Sequence, residues 1–236
     1  MDLESAGQVA ALTAQLGIKG TALSTQNNLS DMRSRNGMKS QTQRSSLEFH
    51  PLTADRWAHF EELFGERGAC GGCWCMWWRL SSREFEAQKG ESNRRAMRKI
   101  VRAGHVPGIL AYRDGHPVGC CSVAPRSEFP RLLRSRILRP VDDKPAWSVV
   151  CLFVGRTHRR AGIGTHLLRA AIEHVRTQGG NIVEGYAVEP KSGDLPDAFA
   201  YHGLATSYRH AGFREAARRS RTRPIMRYTI RKPPTR

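Results

Sequence analysis

The chain has 236 residues, of which 39% are hydrophobic, and this is enough apolar material to bury one sizeable core. No apolar stretch approaches the roughly 18 to 20 residues that span a membrane, and the first residues lack a signal-peptide pattern. We therefore expect a cytoplasmic protein with no membrane partner. The formal net charge of +17 favours anionic partners.

Composition divides the chain into three segments. Residues 1–46 are rich in Gln, Ser, Asn and Thr, and such a segment cannot bury enough surface to offset the entropy cost of ordering it. We predict a disordered tail over residues 1–46, a folded domain over 47–230 and a basic C-terminal tail over 231–236.

The folded part begins with short elements of alternating type. Residues 47–51 predict a strand, and the next stretch predicts a helix whose core residues lie at helical spacing, namely Trp57, Phe60, Leu63 and Phe64. A second helix is predicted over residues 92–103. Residues 108–123 predict a β-hairpin with an Asp-Gly turn at 114–115.

The centre of the chain carries the most specific pattern. Residues 147–154 are β-branched and aromatic, and Gly155 follows them, which predicts a short buried strand. The stretch from Ile163 to Gln178 has apolar side chains at helical spacing and ends at two glycines, which predicts an amphipathic helix. A basic turn that contains glycines joins the strand to the helix.

This turn predicts an anion-binding site. Because the turn opens directly into a helix, several of its N–H groups lack helical partners and point outward at the positive end of the helix dipole. Gly162 and Gly164 allow a phosphate to approach the backbone, and Arg159 and Arg160 add charge. The spacing is neither that of a nucleotide P-loop nor that of a dinucleotide fingerprint, whose third glycine is replaced by Leu167.

The segment Arg159-Arg-Ala-Gly-Ile-Gly164 resembles the Arg/Gln-x-x-Gly-x-Gly/Ala signature of the GNAT family of acetyl-CoA-dependent N-acetyltransferases. The resemblance covers residues 47–228 and is specific in this central stretch and around Tyr208. It implies an α/β fold with a mixed, mostly antiparallel sheet, a central splayed pair of parallel strands and helices on both faces. Residues 180–188 would form the second strand of that pair.

The resemblance also implies that the chain binds acetyl-CoA as a cosubstrate. Pantetheine would lie between the splayed strands and pair with the backbone of the first strand, and the pyrophosphate would reach the turn. The implied cofactor-binding residues are Leu152, Phe153, Val154, Arg159, Arg160, Ala161, Gly162, Ile163, Gly164 and Thr165. A basic surface that attracts this polyanionic cofactor is a simpler interpretation of the charge than a nucleic-acid partner.

The segment Tyr208-x-x-x-Gly212-Phe213 resembles the family's late helix, which ends in Gly-Phe. This resemblance implies that Tyr208 is catalytic and lies near the sulfur of CoA, where a phenol of pKa about 10 can donate a proton to the departing thiolate. The alternative is a helix residue that packs on the sheet. The Asn that the family often carries six residues earlier is His202 here.

The general base is not identified by the sequence. Amine attack requires a neutral nitrogen, so a base or a chain of waters usually helps. Histone-acetylating relatives carry a glutamate at the strand position that is Ser148 here, and a serine cannot replace that carboxylate. Glu184, Glu189, a chain of waters, His202 and His210 stay open as candidates.

Three cysteines, Cys70, Cys73 and Cys75, lie close together and precede two tryptophans. Thiolates at C-x-x-C spacing suit zinc, but a structural zinc site needs four ligands, and no second ligand pair at metal-binding spacing appears. We predict no metal here, and instead a glycine-bent aromatic segment that packs beneath the substrate pocket.

Together these patterns predict an N-acetyltransferase that moves an acetyl group from acetyl-CoA to a primary amine of a small molecule or peptide. Two alternatives stay open. One is a non-catalytic acyl-CoA-binding regulatory module with the same fold. The other is a nucleic-acid-binding protein whose turn binds backbone phosphate.

Overall fold

The computed structural model describes residues 46–190 and 201–231. The strands in these residues are β1 (Leu47–Pro51), β2 (Gly108–Arg113), β3 (His116–Pro125), β4 (Trp147–Val154), β5 (Ile182–Tyr186), β6 (Arg214–Arg218) and β7 (Pro224–Thr229). The helices are α1 (Trp57–Phe64), α2 (Ser82–Gln88), α3 (Glu91–Arg102), α4 (Pro130–Leu133), α5 (Ile163–Thr177) and α6 (Ala205–His210). None of the helices in these residues is long and apolar enough to cross a membrane. Apart from residues 46 and 231, the two predicted tails lie outside the described residues.

The strands form one sheet in the order β1-β2-β3-β4-β5-β7-β6. Neighbouring strands pair antiparallel except β4 and β5, which run parallel. A parallel pair needs a crossover connection, and α5 supplies it. The predicted mixed, mostly antiparallel sheet with a central parallel pair is confirmed.

Local sequence signals explain most of these elements. The hairpin of β2 and β3 turns at Asp114 and Gly115, whose φ angles of 51° and 80° are those of a type I′ turn. Helix α2 does not appear in the sequence prediction, although its capping box was readable. The Ser81 side chain accepts from the Glu84 amide, and the Glu84 side chain accepts from the Ser81 amide.

Helices cover both faces of the sheet, as predicted. On one face, α5 buries an apolar stripe against β2, β3 and β4, made of Ile163, Leu167, Leu168, Ala171, Ile172 and Val175. On the other face, α1 and α3 bury Phe60, Phe64 and Met97. A third apolar cluster forms where the connection from β3 to β4, with Phe129 and Leu132, covers β4, β5 and β7.

A β-bulge interrupts β4. Ser122 of β3 lies opposite Cys151, and the next residue, Val123, lies opposite Val149, so Val150 is the extra residue. A bulge bends its strand and increases the local twist. The pairing of β4 with β5 ends at Val149, and the two strands therefore separate at the bulge.

Candidate functional site

The two parallel strands leave a gap between them beyond Val149. Two residues of β4, Leu152 and Val154, direct their main-chain groups into this gap. This follows because the amide of Gly155 bonds to β3 at 2.9 Å, and alternate residues of a strand face opposite neighbours. The gap lies at the strand residues to which the sequence assigns pantetheine.

Residues 201–205, which we call the gap segment, lie between the separated strands. On one side, the Leu152 amide donates to the Tyr201 carbonyl at 2.7 Å. On the other side, the Val188 amide donates to the Gly203 carbonyl and the Ala205 amide donates to the Val188 carbonyl, both at 2.9 Å. The segment therefore occupies the Leu152 donor that the sequence assigns to the cofactor.

The turn after β4 is exposed to solvent, including Arg159, Arg160, Ala161 and Gly162. Arg160 and Gly162 have φ angles of 61° and 74°, and this left-handed backbone brings the chain into α5. A Cβ at Gly162 or Gly164 would meet no atom of the described residues within 4 Å. Among these residues, nothing prevents a ligand from approaching the two glycines.

The start of α5 presents free main-chain donors. The amides of Ile163 and Gly164 precede the first helical hydrogen bond and have no main-chain partner among the described residues. The amide of Thr165 does have one, because it donates to the Gly162 carbonyl at 3.0 Å. No acidic residue lies in the first turn of α5, so the helix itself places no negative charge at its positive end.

The other predicted cofactor residues lie around this turn. Arg159 donates from Nε to the carbonyl of Val154 at 3.1 Å and so fixes the end of β4. The Phe153 side chain points to the face of the sheet opposite α5, where its ring lies 5.1 Å from that of Phe64. Ile163 is buried in the core beneath α5. Phe153 and Ile163 can therefore contribute main-chain groups, whereas their side chains are used in packing.

Tyr208 is fully buried on α6. Its hydroxyl donates to the His202 carbonyl at 2.9 Å, and burial raises its pKa well above the ordinary value of 10. Its ring lies against β5 at Gly185, where an added Cβ would stand 2.0 Å from the ring. The hydroxyl proton is engaged by the protein, and the catalytic role of Tyr208 stays a prediction.

The two glutamates considered as a base are held by arginines. Both oxygens of the buried Glu184 side chain are engaged, one by Arg126 at 3.2 Å and the other by Arg227 at 2.6 Å. Arg209 and Arg218 bind Glu189 and hold the pKa of its carboxyl below the ordinary 4.5. The two cations favour the ionised form of Glu189, which is therefore a weak proton acceptor.

The serine at the position of the family's glutamate and the two histidine candidates differ in their environment. Ser148 is buried and hydrogen-bonded to the Tyr186 hydroxyl at 2.7 Å, and His210 is exposed at the end of α6. His202 is 1% exposed, and neither ring nitrogen has a hydrogen-bond partner among the described residues. Burial lowers its pKa well below the ordinary 6.5, so the imidazole is neutral at pH 7.

The cysteine segment is bent by left-handed residues, as the glycines suggest, and includes Trp74 and Cys75 with φ angles of 46° and 58°. Cys75, Cys120 and Cys151 pack in one apolar cluster, where interaction between the thiols and burial raise the pKa values of Cys75 and Cys151, and burial raises that of Cys120. Burial also raises the pKa of Cys73 to about 11. In the described residues no group of three or more His, Cys, Asp and Glu side chains is arranged to hold a metal ion.

One cleft near the gap was not predicted from the sequence. It has a volume of about 330 Å³ and is lined in part by Trp77, Trp78 and Arg131. The Trp78 ring lies 5.3 Å from that of His202, which lies 4.2 Å from the ring of Tyr201. The two adjacent tryptophans after the cysteines could have suggested this cleft from the sequence, whereas the position of Arg131 depends on long-range packing.

A splayed parallel pair, followed by an exposed basic turn that opens a helix, defines a protein suited to an extended ligand with an anionic end. The Acetyltransferase (GNAT) family profile matches residues 74–191, which is half of the 236-residue chain. The chain belongs to this family. No curated protein sequence matches it.

Three solved structures illustrate the similarity. The PaiA N-acetyltransferase from Thermoplasma acidophilum, in complex with coenzyme A, is 16% identical over 78% of this chain and 99% of its own, with a TM-score of 0.45. An HPA2-related acetyltransferase from Corynebacterium glutamicum is 16% identical over 80% and 99%, with a TM-score of 0.44. The aminoglycoside N-acetyltransferase AAC(6')-Iy, in complex with CoA, is 15% identical over 75% and 96%, with a TM-score of 0.45.

Proposed function

We propose that this chain is an N-acetyltransferase that uses acetyl-CoA as cosubstrate and a primary amine as acceptor. The observation that carries the proposal is the exposed basic turn at the end of a strand that has separated from its parallel neighbour, where the amides of Ile163 and Gly164 have no main-chain partner among the described residues. Family membership supports the same activity. A folded unit over residues 47–230 and a cytoplasmic location belong to the same proposal and rest on the sequence pattern.

The residues of the turn suit a diphosphate. Amides at a helix start donate to phosphate oxygens, the open space over Gly162 and Gly164 admits the group, and the side chains of Arg159 and Arg160 add charge. Acetyl-CoA would supply an activated acyl group as a thioester. The Leu152 amide would donate to the thioester oxygen after it has released the Tyr201 carbonyl.

A second candidate function is a non-catalytic acyl-CoA-binding module. Two observations favour it, namely the engaged hydroxyl of Tyr208 and the engaged carboxylate of Glu184. This alternative requires binding of acetyl-CoA without turnover, and it requires that Tyr208→Phe leave binding unchanged.

The test combines calorimetry with acetyl-CoA and an amine panel. The panel covers amino acids, aminoglycosides, polyamines and peptide N-termini, and acetylated products are detected by mass spectrometry, because the exposed Cys70 would react with a thiol reagent. We expect binding, and turnover of at least one acceptor. Binding with no product from any amine selects the regulatory module, and no binding rejects both candidates.

A charge-reversal pair tests the turn itself. Arg160→Glu at the start of α5 is expected to weaken acetyl-CoA binding. Arg176→Glu at the other end of the same helix removes an exposed arginine that pairs with Glu173, and it should leave binding unchanged. Equal effects of the two variants would contradict a diphosphate site at the turn.

A further inference from the structure

Helix α3 exposes cations along one face. These residues, which we call the α3 cations, are Arg95, Arg98, Lys99 and Arg102. At about 100° of rotation per residue, their positions fall within an arc of about 100° on the helix surface. The buried residues of the helix, which include Met97 and Val101, face the sheet instead. The helix therefore holds the α3 cations together and directs them to solvent.

The α3 cations are not neutralised by neighbouring carboxylates. Among the described residues, none of them forms an ion pair with an acidic side chain. The remaining cation of the helix, Arg94, contrasts with them, because Glu61 at 2.7 Å and Glu91 at 3.0 Å bind its guanidinium. The charge of the α3 cations is therefore left for a partner to balance.

The spacing of the α3 cations adds repulsion between them. Arg95 and Lys99 are four residues apart, as are Arg98 and Arg102, and like charges at this spacing destabilise a helix. The ring that Arg98 contacts, Trp57 at 5.9 Å, is neutral and leaves the net charge unchanged. An anion bound across this face would remove the repulsion.

The proposed cofactor site does not account for this charge. Helix α5, which begins at the basic turn, packs on one face of the sheet, whereas α3 packs on the other. A diphosphate at the turn therefore lies across the sheet from the α3 cations. A second anionic partner has to be considered for α3.

The composition of the α3 face favours a phosphate backbone over an apolar partner. The exposed large hydrophobic residues in the described part of the chain are Leu133, Ile137 and Leu204, and none lies on α3. Protein interfaces depend on large anchors that become buried, and membrane-surface helices insert apolar side chains, so cations alone suit neither partner. The backbone of a nucleic acid requires only closely spaced cations.

The length of the face also fits this partner. From Arg95 to Arg102 the helix rises about 10 Å. One strand of a DNA duplex presents about three phosphates over that distance along its axis. Several of the α3 cations can therefore contact phosphates of the same strand.

We propose that the α3 face binds the phosphodiester backbone of a nucleic acid, independently of acetyl-CoA. Arg95, Lys99 and Arg102 donate to phosphate oxygens, and their charge displaces the counterions that surround the backbone. Binding of this kind has no sequence preference, because cations on a backbone do not read base edges. The inference does not rest on the proposed acetyl transfer.

The experiment measures binding of the full chain to two labelled probes of equal length, a duplex DNA and a single-stranded RNA, by fluorescence anisotropy between about 50 and 200 mM salt. The test variant combines Arg95→Gln, Lys99→Gln and Arg102→Gln. If these side chains contact three phosphates, the slope of log K against log salt should become shallower by about 2.7 on DNA or about 2.1 on RNA. At the lowest salt the affinity should fall at least about tenfold.

A matched variant controls for total charge. It combines Arg136→Gln, Arg214→Gln and Arg221→Gln, which are exposed residues outside α3. Test and control variants lose the same three charges, so a difference between them reports the position of the charge. The control should keep nearly the wild-type slope. The single variants Arg95→Gln and Arg102→Gln, each expected to lower the slope on DNA by about 0.9, keep the test decisive if the triple variant fails to fold.

Competition identifies the partner and separates this inference from the proposed function. Binding to either probe that persists in excess acetyl-CoA, and that the α3 variants weaken more than the control does, supports the inference even if no amine is acetylated. Displacement of the probe by acetyl-CoA would place the site at the turn and overturn it. No binding to either probe, equal loss in test and control variants, or tighter binding to polyglutamate or to phosphatidylserine vesicles would also overturn it.

Discussion

The main-chain amide of Leu152 donates to the carbonyl of Tyr201 at 2.7 Å, across the gap that opens where β4 leaves β5. A single N–H group cannot give full hydrogen bonds to two acceptors. If Leu152 is to donate to an acyl group, the carbonyl of Tyr201 has to withdraw. The gap segment is thus in direct competition with the ligand that we assign to the gap.

This competition predicts opposite changes in amide exchange when acetyl-CoA binds. The Ala205 amide should exchange faster, because withdrawal of the gap segment would also release its hydrogen bond to the Val188 carbonyl, whereas residues 159–165 should exchange more slowly, because their amides bind phosphate oxygens. Hydrogen exchange followed by mass spectrometry measures both segments in one sample. Slower exchange in both segments would mean that the ligand leaves the Leu152–Tyr201 bond intact.

Two glycines in the turn give a second prediction, because an alanine there affects stability in opposite directions. Gly162 has a φ angle of 74°, so Gly162→Ala should cost about 1–2 kcal/mol of folding free energy through left-handed backbone alone. Gly164 lies inside α5 in open space, so Gly164→Ala should stabilise the fold by about 0.5–1 kcal/mol. Denaturant unfolding measures both changes.

Both variants should change the affinity for acetyl-CoA in the same direction. Each adds a methyl group over the amides that we assign to the diphosphate, so both should weaken acetyl-CoA binding in calorimetry. Gly164→Ala is the sharper test, because its weaker binding would occur in a more stable protein. Wild-type affinity in Gly164→Ala would show that the phosphate does not approach this part of the backbone.

The sequence predicted the elements that depend on local patterns. The apolar spacing of α5 and the Asp-Gly turn at residues 114–115 can both be predicted from neighbouring residues. The capping box from Ser81 to Glu84 was equally local, and it shows that α2 was predictable too.

Long-range contacts explain what the sequence could not predict. The hydrogen bond between Leu152 and Tyr201 joins two main-chain groups. Because nearly every residue carries the same main-chain groups, the sequence gives no signal for such a bond. Tyr208 fits a family motif, but its engaged hydroxyl depends on packing at Gly185, a residue of another strand.

Tyr208 gives a third prediction, because one variant distinguishes its two interpretations, a proton donor and a packing residue. Tyr208→Phe keeps the buried ring but leaves the carbonyl of His202 without its donor, which should cost about 1–3 kcal/mol of folding free energy. If the hydroxyl also donates to the departing thiolate, kcat should fall while the KM for acetyl-CoA changes little. Unfolding curves and steady-state kinetics measure the two effects.

Tyr228→Phe is the control for this change. Its ring lies 5.7 Å from Phe213, close to Tyr208, but its hydroxyl has no hydrogen bond to a described residue. It should change neither stability nor kcat appreciably. Kinetics should be measured well below the melting temperature of the variant. If Tyr208→Phe is less stable but has the wild-type kcat, Tyr208 contributes to packing and not to catalysis.

His202 predicts that stability depends on pH in a defined window. Its ring is buried against Trp78 and Tyr201, and both burial and the charge of Arg223 lower its pKa well below the unfolded value of 6.5. Below about pH 6.5, His202 therefore binds a proton in the unfolded chain but not in the folded chain. Stability is fully present above this pH and falls as the pH is lowered, by about 1.4 kcal/mol per unit at most.

The measurement is the free energy of unfolding in denaturant between about pH 7.5 and 5, a range in which carboxylates stay ionised. His202→Asn removes the imidazole and should flatten the slope. His174→Gln is the control, because burial also lowers the pKa of His174, so this variant reports how much of the slope the second histidine contributes. Equal slopes in wild type and His202→Asn would mean that the His202 ring gains access to protons without unfolding, for example through water reaching the gap.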